Sequence, residues 1–312
     1  MAHGQPPDEV AIVAVAGVLG GYRDEARSRL PGVLDGSVED LHQFRVATRR
    51  ARSVVGAATG VLPEEPRVVL GQSLRAIARL TSPVRDLDVF VSDLPSLAAA
   101  VDAGGRTGAL DALVDIAGAA RERPSVSLEW ALRGPDGARL FDLWEAASTP
   151  VPAGGDAPGP LATEPALAVV DEWTMAAFRR TRRKGRVALE SDDLEHWHDL
   201  RKSLKKLRYL VTAFGYLHQR SELKPVRKHL KRLQEHIGGL QDHRVQGELI
   251  EEMRSRALAA RLPAAAELAS DIKAGVDRDL ARTHAECTEA WLEFDTRDTR
   301  RAFKSLTASR RD

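Results

Sequence analysis

Cysteine is nearly absent from this chain of 312 residues, because Cys287 is the only one. A single thiol excludes an intrachain disulfide, and the sequence has no paired spacing of cysteine and histidine typical of a zinc site. We therefore expect a protein of a reducing compartment, the cytoplasm, with no metal site and no cofactor.

Long apolar runs are absent as well. The apolar stretch at residues 10–19 follows Asp8 and Glu9, where a secretory signal would carry positive charge. It is also shorter than the roughly 20 apolar residues that span a bilayer. We interpret it as the first helix of the fold, and we expect no membrane partner.

Catalytic signatures are missing too. The chain has no Gly-rich phosphate loop, GxSxG elbow, HExxH pair or GxGxxG fingerprint, so we expect a protein that is not an enzyme. Aromatic residues make up 5% of the chain and charged residues 29%. A composition dominated by Ala, Leu, Arg and Glu is typical of amphipathic helices, which predicts an all-α fold.

What the chain does contain is a repeat with a displacement of 156 residues. The segment LHQFRVATRRAR at residues 41–52 returns as WHDLRKSLKKLR at residues 197–208. Without a gap, the same displacement maps Arg23 to Arg179, Glu39 to Glu195, Leu74 to Leu230 and Asp86 to Asp242. Self-similarity at a fixed period predicts two related halves, each with one basic helix that begins near a histidine.

The halves divide at a Pro/Gly-rich segment. Residues 149–162 contain TPVPAGGDAPGP, which predicts a linker between a first helical bundle at residues 1–148 and a second at residues 163–312. Breakers within the halves predict four long helices in each, with shorter helices in the tails. The predicted breaks are Leu34 to Ser37, Gly60 to Pro66, Ser82-Pro83, Ala103 to Gly105, Ser191 to Asp193, the region around Ser221, and Gly238-Gly239.

Charge is distributed unevenly along the chain, although the net charge is only +1. Residues 1–156 carry 16 basic and 21 acidic side chains, whereas residues 157–312 carry 30 and 24. Between Arg179 and Arg232 there are 17 basic and 6 acidic residues. Such a surplus indicates a polyanionic partner, or else a solvated helix surface laced with ion pairs.

Helical spacing sorts the basic residues into rows. At about 100° per residue, His42, Arg45, Arg49 and Arg52 form a first stripe, and His198, Arg201, Lys205 and Arg208 form a second stripe. Arg50, Lys202 and Lys206 point further outward. On the next predicted helix of each half, one basic edge comprises Arg75 and Arg79, and the other comprises Lys224, Arg227, Lys228 and Lys231. Cations stacked on one helix face repel one another, which destabilises the helix. We therefore predict that these rows line a groove in which a bound anion offsets the repulsion.

Two alternatives concern the stripes. Acidic side chains from other helices, with Asp86 and Asp242 as candidates, could neutralise them. His42 and His198 could share a metal if the fold brought them together, but neither has a second ligand at i+4. We favour contact with an anion, with the arginines and lysines as the principal ligands and the histidines assisting.

The HxxRVxxRRxR pattern at residues 42–52, VRDLDV at 84–89, HDLRKSLKKLRY at 198–209 and LQD at 240–242 resemble the CHAD domain, the conserved histidine α-helical domain. The resemblance covers nearly the whole chain. It implies two pseudo-symmetric four-helix bundles around a central basic cavity that binds inorganic polyphosphate, commonly at polyphosphate granules, without catalysis by the domain itself.

The chain departs from the family pattern in its second half. Gln241 stands where the repeat predicts the equivalent of Arg85, and Arg244 stands opposite Asp88. The ExExK motif of the triphosphate tunnel domain that often accompanies the family is absent, so we expect no catalytic partner domain. Two other functions compete with polyphosphate binding. Nucleic-acid binding lacks a recognition helix and stacking aromatics, and a metal-dependent phosphohydrolase lacks clustered carboxylates.

Overall fold

The computed structural model describes residues 9–101, 105–150, 157–191 and 193–308, and almost all of them are helical. The predicted all-α fold is confirmed. No helix in these ranges is long and apolar enough to cross a bilayer. In chain order the helices are α1 (Ala11–Leu34), α2 (Val38–Ala57), α3 (Glu64–Ala99), α4 (Thr107–Arg133), α5 (Pro135–Ala147), α6 (Ala166–Leu189), α7 (Leu194–Ala213), α8 (Arg220–Ala259), α9 (Pro263–Phe294) and α10 (Arg297–Leu306).

The two helices that carry the stripes begin at side-chain caps. The Ser37 hydroxyl accepts a hydrogen bond from the backbone N–H of Asp40 at 3.2 Å, which satisfies one unpaired donor of the first turn of α2. At α7 the cap is Asp193, whose carboxylate accepts from the N–H of Glu195 at 2.8 Å. Ser191 instead accepts from the N–H of Asp193 at 3.1 Å and supports the cap.

Among the described residues, each half has four long helices followed by a shorter one. The number agrees with the prediction, although two of the predicted breaks are absent. Helices α2, α3 and α4 begin at residues 38, 64 and 107, and α7, α8 and α9 begin at residues 194, 220 and 263. The displacement of 156 residues found in the sequence is therefore also the displacement between these helix starts. The pseudo-symmetric arrangement of the halves in space stays a prediction.

Two predicted breaks are wrong. Helix α3 continues through Pro83 and Pro95, and α8 continues through Gly238 and Gly239. At Pro83 the apolar face stays continuous, because Ile77 and Val84 are both buried on either side of it. The hydroxyl of Ser82 donates to the Ala78 carbonyl at 2.7 Å. Burial of a long apolar face therefore outweighs the local cost of a proline or a glycine pair.

Three apolar cores fill the fold. The first core lies mainly among α1, α2, α5 and the first half of α3, but it also contains Val169 and Val170 of α6 and Phe214 after α7. The second core joins α6, α7, the beginning of α8, the end of α9 and α10. The third core joins the end of α3, the beginning of α4, the end of α8 and the beginning of α9. Two of the three cores therefore combine residues from both halves.

The predicted linker is only partly described, because residues 151–156 lie outside the described ranges. After them, the backbone N–H of Leu161 donates to the Gly60 carbonyl at 2.7 Å, and the N–H of Ile12 donates to the Ala162 carbonyl at 3.0 Å. Ala162 is buried in the first core. This part of the segment is packed against the first half, and the division into two domains stays a prediction.

Candidate functional site

The two stripes meet, because α2 and α7 are in direct contact. Their meeting point is the buried ring of Tyr209, which the guanidinium of Arg49 approaches from α2 to 5.7 Å from the ring centroid. The guanidinium of Arg208 lies 5.2 Å from the same centroid. A ring that holds a cation from each half fixes the two stripes beside one another.

A set of eight cations forms around this contact. Arg49 lies close enough to Arg201 and Lys205 to lower the pKa of both. Burial lowers the pKa of Lys206, and the charges of Arg180, Arg52 and Arg75 lower it further. We define the central cationic cluster as Arg45, Arg49, Arg52, Arg75, Arg201, Lys205, Lys206 and Arg208.

Lys205 reports the charge density most clearly. Burial, followed by the positive charges of Arg201 and Arg49, lowers the pKa of this lysine to about 7. Burial likewise lowers the pKa of Arg45 to about 10 and also lowers that of Arg52. Cations that are removed from water and placed beside other cations are unstable unless an anion joins them.

Neutralisation by carboxylates is only partial. Asp242 lies 3.3 Å from the guanidinium of Arg201, but the Asp242 side chain is largely exposed. Burial has the largest effect on the Asp86 carboxyl and raises its pKa, although the positive charges of Arg45 and Arg85 lower it. Among the described residues, Arg201 alone of the eight cluster members has a carboxylate within ion-pair distance, and the other seven have none.

Three guanidinium groups of the stripes also have unused donors. The Nε atoms of Arg49, Arg201 and Arg208 are shielded from solvent, and none has a hydrogen-bond partner in the described part of the chain. A buried donor without an acceptor costs free energy. An anion bound among these groups would supply the missing acceptors.

Arg45 is bound differently from the rest of the cluster. Its Nη1 donates to the hydroxyl of Thr81 at 2.6 Å and to that of Ser82 at 3.1 Å, both on α3. Arg45 therefore ties α2 to α3 in addition to contributing charge.

Two predicted ligands are occupied by neighbouring carboxylates. Arg50 lies 3.7 Å from Glu25 and stacks on the Tyr22 ring. Lys202 lies 2.7 Å from Asp199, which also accepts from Lys184 at 2.6 Å. These hydrogen bonds lower the pKa of Asp199 to about 2. Arg50 and Lys202 therefore belong to ion pairs beside the cluster.

The basic edges of the third helices are exposed. Of the first edge, Arg75 joins the cluster, whereas no contact places Arg79 there. On α8, Lys231 pairs with Glu235 at 3.6 Å, and the charge of Lys228 acts on His229. No contact among the described residues joins the four predicted ligands of this edge to the cluster, so their part in binding stays a prediction. These four are Lys224, Arg227, Lys228 and Lys231.

The histidines differ between the halves. His42 lies near Arg85 and Arg49, and its pKa is lowered by burial and then by Arg85. His198 is hydrogen-bonded through Nδ1 to the side-chain amide of Gln241. The described residues contain no group of three histidine, cysteine or carboxylate side chains that could hold a metal ion.

The site contains residues that the sequence reasoning missed. Arg85 acts electrostatically on His42, Arg45 and Asp86, and Tyr209 carries two guanidinium groups. The break predicted at Pro83 placed Arg85 outside the helix that carries Arg75 and Arg79, so Arg85 was not assigned to its basic edge. Continuing the helical spacing of α3 past the proline would have found it.

A cleft of about 740 Å³ opens beside the cluster between α3, α4 and α8. Its lining includes Asp86, Gln241 and Arg244. It also includes Arg123 and Arg256 together with Glu248 and Glu252, so both charge signs are represented. The excess of positive charge therefore belongs to the cluster and not to the cleft.

The family model described as the CHAD domain matches residues 17–251, well over half of the chain. The chain belongs to the CHAD-domain family. The matched residues run from α1 into α8, so the family region includes both stripes and every member of the central cationic cluster.

Two solved structures are similar to this CHAD-domain chain. The crystal structure of the CHAD domain from the plant Ricinus communis is 22% identical with a TM-score of 0.66, and the alignment covers 100% of this chain and 96% of that one. PptA from Streptomyces chartreusis is 17% identical with a TM-score of 0.68, covering 91% of this chain and 100% of that one. At these identities the comparisons show a shared fold. A search of curated proteins found no match.

Proposed function

We propose that this CHAD-domain chain binds inorganic polyphosphate at the central cationic cluster and does not turn it over. One observation carries the proposal. Cations of α2 and α7 meet around Tyr209, and seven of the eight cluster members have no carboxylate partner among the described residues. The family to which the chain belongs supports polyphosphate as the anion.

The chemistry of the cluster suits phosphate groups. Arginine presents a planar fork of donors that matches two phosphate oxygens, and the cluster contains six arginines and two lysines. The first stripe spans ten helical steps from His42 to Arg52, about 15 Å, so it suits a row of negative charges better than a single one. A linear polyanion meets this requirement.

Turnover would need further groups. Phosphoryl transfer normally uses carboxylates to hold Mg²⁺, and the carboxylates nearest the cluster are Asp86 and Asp242. We propose binding alone, in the cytoplasm and at polyphosphate granules. Release of phosphate from polyphosphate by the purified chain with Mg²⁺ or Mn²⁺ would contradict the proposal.

The binding test is titration calorimetry with polyphosphate chains of graded length at several salt concentrations. We expect the affinity to rise with chain length and to be far weaker for pyrophosphate. We also expect it to fall steeply with salt, because binding releases counterions and this release is less favourable at high salt. Equal affinity for short and long chains would contradict a row of subsites. Duplex DNA added as a competitor at physiological salt tests the nucleic-acid alternative, which predicts displacement of polyphosphate.

Arg49→Ala is the substitution that tests the proposed binding site most directly. We expect affinity for long chains to fall about tenfold or more, the size of a hydrogen bond to a charged group. The melting temperature should change little, because the lost contact with the Tyr209 ring is offset by relief of the repulsion that Arg49 exerts on Arg201 and Lys205. Arg133→Ala removes the same charge from an exposed arginine of α4 that pairs with Glu129, and serves as the matched control. Equal affinity of the Arg49 variant and the control would place the ligand elsewhere.

A further inference from the structure

Gln241 joins the second stripe to the cleft beside it. This glutamine lies on α8 with only 8% of its surface exposed. Its side-chain amide contacts Nδ1 of His198 on α7 and the guanidinium of Arg244, almost one helical turn further along α8. A buried amide between a histidine and an arginine has one orientation in which all three groups are satisfied.

Arg244 decides that orientation. A guanidinium can only donate hydrogen bonds, so the amide oxygen of Gln241 must face it, at 2.8 Å from Nη2 and 3.2 Å from Nε. The amide N–H of Gln241 then donates to Nδ1 of His198. An imidazole nitrogen that accepts carries no proton, so the proton of the neutral ring is on Nε2.

The Nε2 atom of His198 has no hydrogen-bond partner among the described residues, unlike Nδ1. His198 shares a small pocket with Arg201, Gln241 and Arg244, and it stands one turn before Arg201 on the second stripe. A neutral N–H donor is therefore available next to Arg201, which belongs to both the second stripe and the central cationic cluster.

We propose that Gln241 is a positioning residue that holds His198 in the Nε2–H tautomer, so that His198 donates a fixed, neutral hydrogen bond to an oxygen of the bound anion. The ligand in this statement rests on the proposed function. The tautomer does not, because Gln241 and Arg244 set it in the free protein.

The first half lacks this device. The displacement of 156 residues places Arg85 opposite Gln241 and Asp88 opposite Arg244. Asp88 is buried and bound by Arg121 at 2.5 Å, and Arg85 presents only positive charge to His42. The two histidines that introduce the stripes are therefore inequivalent, and only His198 has its proton placed by an amide.

Long-range ¹H–¹⁵N spectra of the full chain without ligand test the tautomer. In the wild type we expect an unprotonated Nδ1 and a protonated Nε2 at His198, assigned by loss of the signals in His198→Phe. Gln241→Glu should move the proton to Nδ1, because a carboxylate accepts from it, and Gln241→Met should give a mixture of tautomers. A wild type with the proton on Nδ1, or spectra unchanged in both variants, would overturn the proposal.

Gln246→Met provides the matched control. Gln246 is another half-buried glutamine of α8, but its amide donates to Asp93 at 2.9 Å, away from His198. The control should leave the His198 signals unchanged. Should Gln241→Met not fold, as judged by helical circular dichroism, Gln241→Glu still decides the question because it retains polar contacts to Arg244.

Polyphosphate titrations then separate positioning from general damage. We expect Gln241→Met to weaken binding by about threefold to tenfold, less than the loss of a complete hydrogen bond to a charged group. Added to His198→Phe, the same substitution should weaken binding no further, because Gln241 acts through His198. Fully additive losses would overturn the positioning role. A wild type that binds no polyphosphate would overturn the proposed function, whereas the ligand-free spectra alone decide the tautomer.

Discussion

At the scale of the residue, Lys205 shows most clearly how burial and neighbouring positive charges act together at the site. A lysine normally keeps its proton far above neutral pH, but here burial disfavours the charge and Arg201 and Arg49 repel it. Burial and the positive charges of other neighbours also lower the pKa of Arg52 and of Lys206. The free protein therefore stores an unfavourable charge density that an anion relieves.

Lys205 predicts the direction of a pH dependence. Its pKa is about 7 in the folded chain and 10.5 when unperturbed. Between these values the unfolded chain keeps a proton that the folded chain has lost, so this group adds stability as pH rises through the window. A bound polyanion raises the pKa again, so binding at pH 8 should take up a proton, and affinity should fall as pH rises above 7.

Calorimetry in two buffers of different ionisation enthalpy measures this proton uptake. Lys205→Arg keeps the charge at all of these pH values, so it should bind with less proton uptake than the wild type. Identical uptake by the wild type and by Lys205→Arg would show that another group titrates.

The residues of the stripes were predictable from sequence, because helical spacing fixes which side chains share a face. Arg45, Arg49, Arg201 and Lys205 do lie in one cluster. Their different circumstances were not predictable. That Arg45 bonds to Thr81 whereas Arg49 stacks on Tyr209 depends on how α2 packs against α3 and α7.

At the scale of the element, local sequence signals explain where the helices begin better than they explain where a helix is interrupted. The Ser37 cap acts within a few residues, so the sequence alone predicts it. Pro83 and the glycine pair in α8 also act locally, but the apolar faces that cross them bury enough surface to keep the helices continuous. That burial depends on partners distant in sequence, such as α4 and α9.

Helix packing makes one glycine indispensable and another replaceable. A Cβ at Gly185 of α6 would overlap the indole of Trp291 on α9, whereas a Cβ at Gly17 of α1 would meet open space. We expect Gly185→Ala to lower stability by about 1–3 kcal/mol through overpacking. Gly17→Ala should raise it by up to about 1 kcal/mol, since alanine favours the helix.

Urea denaturation of both variants measures these differences in the free energy of unfolding. Both substitutions add one methyl group to a helical glycine, so intrinsic propensity favours each equally. A gain of stability at Gly185 would show that α6 and α9 are not packed closely at this point.

At the scale of the whole molecule, the cores decide how the halves behave. The first and third cores each draw residues from both halves. An isolated half would expose those apolar surfaces to water. The first core also joins α2 to Leu210 of α7 and to Phe214, which keeps the two stripes in contact.

We expect the chain to unfold in one cooperative transition in differential scanning calorimetry. Leu113→Ala on α4 and Leu268→Ala on α9 both remove fully buried side chains from the third core, and each should cost about 2–5 kcal/mol and shift the whole transition. Leu258→Ala, at an exposed leucine of α8, should change stability by no more than about 0.5 kcal/mol.

Two separate transitions, with only one of them moved by Leu113→Ala, would contradict the coupling of the halves through the third core. Two transitions are what the sequence division at residues 149–162 would predict on its own.

The helical composition, the displacement of 156 residues and the two stripes could be predicted from the sequence, because all three depend on residue type and spacing along one chain. The meeting of the stripes at Tyr209, the position of Arg85 near His42 and the contact of Gln241 with His198 are seen only in the folded chain. Those relations join residues far apart in sequence, and they follow from the packing of helices whose shared cores no local pattern records.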